Sequence, residues 1–364
     1  MKRIKTWGLV ALLVLVALEV LTIAPKKLGT APDPEVDKPE EKKSGETPPP
    51  STVATMSQTM QGVHLVETGG GRKQWELDSQ VAQGFKDKGT WKLQGVKVKF
   101  FSLNGSIYSV TGHDGDVQME TKDMFIEGNV VTTTSEGYVF KTKSLKYSAQ
   151  EKSLTTPDAV RIIGPKTQGT FQVDGSGFRA DLQNSSMKLE HNVRAIKQIT
   201  SNGGQPPTMG ATSDDQDGVK IMNIKSERSY VNGKTSEVHF EDQVQVDIEA
   251  IRMTGNQADF LYDKKTKALA SLLMQGNVRV TDQEHWAASQ YAQVLFKQNE
   301  FVLYGNPRIN QSGNELRGQE IRFLKGGKEV KVSKAKARME QDGAASASNR
   351  MNLLTKGFSK GATQ

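Results

Sequence analysis

The sequence predicts an all-β body carried behind a single apolar amino-terminal helix. Three observations lead there. Short segments of the body alternate apolar and polar residues, as in Val96-Lys97-Val98-Lys99-Phe100, Tyr138-Val139-Phe140-Lys141-Thr142-Lys143 and Val244-Gln245-Val246-Asp247-Ile248. A period of two puts alternate side chains on opposite faces of a half-buried strand. Glycine is frequent and proline sparse, 34 against 12 in 364 residues, which favours many tight turns over long helices. The one long apolar run, Trp7 to Ala24, lies at the amino terminus.

Residues 1–6 carry Lys2, Arg3 and Lys5 and are expected as a short cytoplasmic stub. Residues 7–24 (WGLVALLVLVALEVLTIA) just reach the ~17 residues needed to cross a bilayer as a helix. Thr22-Ile23-Ala24 followed by Pro25 is a poor cleavage site, so an uncleaved signal anchor is expected over a removed signal peptide. Lys26 and Lys27 weaken the charge asymmetry behind that orientation. Glu19 interrupts the run. Either it reaches the outer interface or it faces a membrane partner's helices. Residues 25–59, rich in Pro, Glu and Lys, read as a disordered linker.

The body divides at Ser201-Asn202-Gly203-Gly204-Gln205-Pro206-Pro207, giving modules at 60–200 and 208–345 and a flexible tail at 346–364. A loose repeat runs through both. One element is a polar pair before Val or Pro: Glu127-Gly128-Asn129-Val130, Glu190-His191-Asn192-Val193, Glu241-Asp242-Gln243-Val244, Gln275-Gly276-Asn277-Val278 and Tyr304-Gly305-Asn306-Pro307. These steps tolerate positive φ and are expected at hairpin turns. The stretch Trp286–Val294 is read as strand despite its partial helical spacing. Stacked hairpins that cannot bury their own faces would share one continuous core.

Nothing local demands catalysis. The chain has no cysteine. His64, His113, His191, His239 and His285 show no metal-ligand spacing, and no metal or cofactor is expected. His113-Asp114-Gly115-Asp116 and Asp214-Asp215-Gln216-Asp217-Gly218 read as hairpin turns rather than cation loops. Gly69-Gly70-Gly71-Arg72-Lys73 lacks phosphate-loop spacing and reads as a flexible approach to the first strand. Gly175-Ser176-Gly177-Phe178 reads as a turn, not a nucleophile elbow. The net charge of +7 is spread thinly. It fits a solvated basic surface or an anionic partner, with no dense block to suggest nucleic acid.

In order, these motifs resemble the periplasmic bridge proteins of lipopolysaccharide transport (Lpt). Residues from about 61 to 199 are similar to the anchored C component. The likeness rests on the apolar anchor, Trp75-x-Leu77, the Glu127–Val130 step, Thr142–Tyr147, Leu154-Thr155-Thr156-Pro157 and Gly175-x-Gly177-Phe178 leading to Leu189-Glu190. Residues from about 209 to 339 are similar to the A component, or OstA-like domain, through Met253–Tyr262, Met274–Val278, Tyr304–Pro307 and Leu316-Arg317-Gly318.

The resemblance implies two tandem, open, twisted β-jellyrolls after one transmembrane helix, with the bulk of the chain in the periplasm. It implies a non-enzyme that receives lipopolysaccharide, or a related anionic glycolipid, from the inner-membrane Lpt ABC transporter. The chain would pass the lipid toward a periplasmic A-like or outer-membrane jellyroll partner. Acyl chains would ride in an apolar groove lined by Val98, Phe100, Leu145, Tyr147, Phe260, Tyr262, Leu295 and Phe296. Adjacent Leu295 and Phe296 cannot both face inward on a regular strand. The competing readings are a scaffold of stacked jellyrolls with a filled core, and a β-solenoid enzyme on polysaccharide. The second is disfavoured by only four Trp residues, one of them in the anchor.

Overall fold

A computed structural model describes residues 56–85, 89–199, 220–266, 268–282, 285–311, 314–325, 327 and 329–338. The expected anchor with Glu19, most of the linker, the inter-module break, Asp214–Gly218 and the carboxyl tail lie outside the described residues. Among the described residues no helix is long and apolar enough to cross a membrane.

The first module is β1 (Met56–Gly69), β2 (Arg72–Phe85), β3 (Thr90–Phe101), β4 (Ile107–Gln118), β5 (Met124–Thr134), β6 (Val139–Ser148), β7 (Ser153–Ile163), β8 (Phe171–Asp181) and β9 (Ser186–Ile199). β1 begins inside the segment expected as linker and pairs along its length with β2. The second module opens with β10 (Lys220–Ser226), β11 (Arg228–Asn232), β12 (Glu237–Ile248), β13 (Ile251–Tyr262), β14 (Leu269–Thr281) and β15 (His285–Leu295). It ends with β16 (Glu300–Tyr304), β17 (Arg308–Gln311), β18 (Asn314–Arg317), β19 (Glu320–Leu324), β20 (Glu329–Ser333) and β21 (Lys336–Arg338).

Each strand pairs antiparallel with the next in sequence, a meander without crossovers. Four strands are cut in two. β10 and β11 both pair with β9 and with β12. β16 and β17 both pair with β15. β18 and β19 pair with β17 and β16, and then with β21 and β20. Because β9 joins β10 and β11 directly, the sheet continues unbroken across the sequence division.

The repeated polar steps are not hairpin turns, contrary to the expectation from sequence. They interrupt strands at their middles. On β5, Glu127 faces Ser144 and Val130 faces Thr142, so one extra residue is accommodated there. Gly128 and Asn129 take φ of 79° and 50°. Gly276 and Asn277 do the same on β14, at 76° and 52°, and Gly305 and Asn306 separate β16 from β17 at 77° and 58°. A bulge bends a strand and strengthens its twist. Repeated on successive strands, it folds the sheet along a line.

The other glycine motifs have similar explanations. Gly175–Phe178 lies inside β8, and His113–Asp116 inside β4, so neither is a turn. A Cβ at Gly115 would come 2.9 Å from the backbone oxygen of Phe125, so the neighbouring strand demands the glycine. Gly70 and Gly71, at φ of 59° and 75°, form the two-residue turn between β1 and β2 rather than an approach to the first strand.

The bend divides the long strands into two arms. Arms on one side form wall A, with Leu93, Met124, Leu145, Tyr147 and Phe178 facing in. Arms on the other form wall B, with Trp75, Val98, Phe100, Val130 and Phe140 facing in. The walls meet. Phe100 of wall B lies 4.4 Å from Tyr147 of wall A, and Phe140 of wall B lies 5.6 Å from Phe178 of wall A, between centroids on non-adjacent strands. One apolar core runs from Trp75 to Phe323 through both modules. Buried serines secure three bends. The Ser79, Ser226 and Ser289 hydroxyls donate to the carbonyls of Val81, Arg228 and Tyr291 at 2.7, 2.9 and 2.8 Å.

Candidate functional site

The interior between the walls is the candidate site. Its lining follows from alternation along each arm. Val98, Phe100, Leu145, Tyr147, Phe260 and Phe296 are all buried, at most 4% exposed. Tyr262 is half-buried and packs against the same core. Leu295 is half-buried and Phe296 buried: the chain keeps its alternation past Val294, so the second of the adjacent pair takes the inward position. Phe260 packs edge-on to Phe240 at 5.4 Å.

Among the described residues the two walls of the first module meet, where an open groove was expected from sequence. In the first module a cavity of about 20 Å³ lies between the walls. It is bordered by Tyr108, Thr132, Phe140, Leu145, Thr156 and Phe178. That is enough for about one water. The Thr142 hydroxyl on this cavity has no protein partner, and neither does the buried indole nitrogen of Trp75 in the same module. Sequence reading passed over the threonines because it followed only apolar residues. They occupy inward positions of the alternation at Thr132 and Thr156.

The strand ends opposite the bend are where the walls could part. In the first module they are tied across. The Lys152 ammonium donates to the Gln74 side-chain carbonyl. The Ser102 hydroxyl donates to the Leu182 carbonyl at 2.6 Å, and the Asn104 amide to the Ser185 hydroxyl at 2.8 Å. Burial holds the Lys152 ammonium below its usual pKa.

Tyrosines at these ends stay neutral. Burial, with Asp123 and Glu67 nearby, pushes the Tyr147 phenol up to about 12. Burial also raises Tyr108, Tyr138 and Tyr262. A phenol offers an apolar body and a polar tip, which suits a boundary between an apolar interior and water.

The histidines take no part. His64, His191, His239 and His285 each sit on a carboxylate: Asp78, Glu227, Asp259 and Asp282, at 2.7, 3.1, 2.6 and 3.0 Å. Among the described residues no group of three or more His, Asp or Glu could hold a metal.

Comparisons with known proteins match two separate stretches of the chain. Residues 36–198 match the family described as lipopolysaccharide-assembly, LptC-related. Residues 223–326 match the LptA/(LptD N-terminal domain) lipopolysaccharide transport family. Among solved structures, the chain is similar to LptH of Pseudomonas aeruginosa, described as the LptA-homologous periplasmic component of the conserved lipopolysaccharide transport device. The identity is 16% and the TM-score 0.30, over 33% of this chain and 95% of that one. No curated protein matches.

Proposed function

This chain belongs to the LptC/LptA-like family of periplasmic lipopolysaccharide-transport proteins, and from that membership we propose that it holds lipopolysaccharide acyl chains between walls A and B and passes them along the sheet. The family transports; it does not catalyse. One observation carries the proposal: a single apolar interior runs without interruption through both modules. Acyl chains need a continuous apolar lining, worth about 25 cal/mol per Å² removed from water, and no fixed polar site. The phenols at the strand ends would meet the polar head.

Loading requires the walls to part. The ties Gln74–Lys152, Ser102–Leu182 and Asn104–Ser185 would release in the first module. The amino-terminal segment would anchor the chain in the inner membrane beside the Lpt transporter, with Glu19 toward that partner. The second module, joined through β9, would take the place of the first soluble bridge subunit. Its last strands, β20 and β21, each pair on one side only among the described strands. They would offer an edge to the next jellyroll by strand addition. The filled interior favours a second reading, a stacking scaffold that carries no lipid.

Photocrosslinking in living cells separates the two. Probes at Phe100 and Phe260 face inward, and controls at Lys99 and Asp259 face outward. Lipopolysaccharide adducts at both phenylalanines, absent at both controls and dependent on ATP, are expected for transport. Adducts in the first module alone would make the second a spacer. No adduct at either position would leave the scaffold.

A further inference from the structure

The register places a line of cations on the outer face of wall B, beside the bend. From Lys97 on β3, which itself stands opposite Asp78 on β2, a row of directly opposed residues, one per strand, runs to β21. Within it Lys141 faces Arg161, and Arg194 faces Lys225 across the junction of the modules. Arg279 continues the row, which closes with Arg308 facing Arg317 and Arg317 facing Lys336. All nine cations are exposed. One acid, Asp174, interrupts them.

This is not the general basicity of the surface. The row on the other side of the bend, on wall A, is mixed: it carries Asp114 opposite Glu127, then Arg228 opposite Glu241, and later Glu320. Among the described residues, ion pairs in the basic row are confined to Arg161 with Asp174 and Arg317 with Glu315. Like charges directly opposed on a sheet are destabilising. Four such contacts in a single row call for a compensating partner.

We propose that this row is a track for a flexible, linear, acidic glycan of the cell envelope. Strands lie about 4.8 Å apart, so fifteen of them set out cations over roughly 65–70 Å. Adjacent strands rotate by about 20°, so the line winds most of the way around the sheet. A flat anionic bilayer could touch only part of such a line, whereas a flexible chain carrying carboxylates or phosphates can follow it. The track lies beside the closed bend, away from the strand ends where an interior lipid would present its head. The inference therefore does not rest on the acyl-chain reading.

The test uses the full chain in detergent and fluorescent polygalacturonate, a linear, carboxylated, lipid-free polymer. Neutral dextran and anionic phospholipid vesicles serve as comparisons. The fourfold variant Lys141→Gln, Arg194→Gln, Lys225→Gln, Arg279→Gln should raise the polymer Kd tenfold or more. The control Lys92→Gln, Lys146→Gln, Lys264→Gln, Lys334→Gln, with the same change in net charge, should raise it less than twofold. The melting temperature of the row variant should hold or rise, because opposed like charges are relieved. If the fourfold variant does not fold, Lys141→Gln with Arg279→Gln should still raise the Kd threefold or more. Equal losses in row and control variants, no loss in the row variant, or vesicles bound as tightly as the polymer would each overturn the track.

Discussion

At Gly276 the chain takes φ of 76°, and a Cβ there would lie 2.8 Å from the side-chain nitrogen of Asn256. Left-handed backbone costs a non-glycine residue about 1–2 kcal/mol, before Asn256 is displaced. Gly276→Ala should therefore destabilise the protein by roughly 1–3 kcal/mol, read as a lower urea midpoint at unchanged slope. Glu76 illustrates a different residue-scale effect. Hydrogen bonds from Lys73 and then Lys99, at 2.8 and 2.7 Å, hold its carboxyl down to about 2 from an ordinary 4.5. A carboxyl depressed in the folded state adds stability above its unfolded pKa and loses it as pH falls through the folded value. Wild type should lose this contribution between about pH 4.5 and pH 2. Glu76→Gln should be less stable at neutral pH and show a flatter stability profile across that window, measured by chemical denaturation.

Among the elements, the hairpin ends decide whether the interior is accessible. The turn after β3 and the turn after β8 belong to opposite walls, yet Asn104 and Ser185 touch across them. Because the chain has no cysteine, Asn104→Cys with Ser185→Cys would introduce a single, unambiguous disulfide. If lipid enters between the walls, oxidation should abolish the lipopolysaccharide adduct at Phe100 and reduction should restore it. An adduct that survives oxidation would mean that lipid does not pass this pair of hairpins. The locked protein should also be more stable, by up to about 2–4 kcal/mol on the loop-entropy account.

At the scale of the whole molecule, the junction is a strand pairing and not a linker contact. β9 contributes its carboxyl-terminal arm to β10 and its amino-terminal arm to β11, and Met222 and Ile224 are buried there in the common core. The body should accordingly unfold as one cooperative unit. Calorimetry should show one transition, and Ile224→Ala should lower all of it by roughly 2–5 kcal/mol of stability. Two transitions, with only the later module affected, would show that the shared sheet does not couple the modules.

The all-β fold and the buried faces of strands such as β3 and β6 were legible in the sequence. Alternation is a local property: Val98 and Phe100, or Leu145 and Tyr147, share a face whatever their partners are. The family likeness was legible for the same reason, as an ordered string of local motifs. The role of Gly128-Asn129 was not. Positive φ serves a hairpin turn and a strand bulge equally well, and only the register of β5 against β6 shows that the strand continues through it. Leu295 and Phe296 could be told apart only once the strand and its bend were fixed. Closure of the walls depends on pairs such as Gln74 and Lys152, 78 residues apart, and the basic row gathers one residue from each of fifteen strands. Sequence determines which face a side chain takes along its own strand. Which side chains then stand opposite one another is set by long-range pairing, which no local pattern contains.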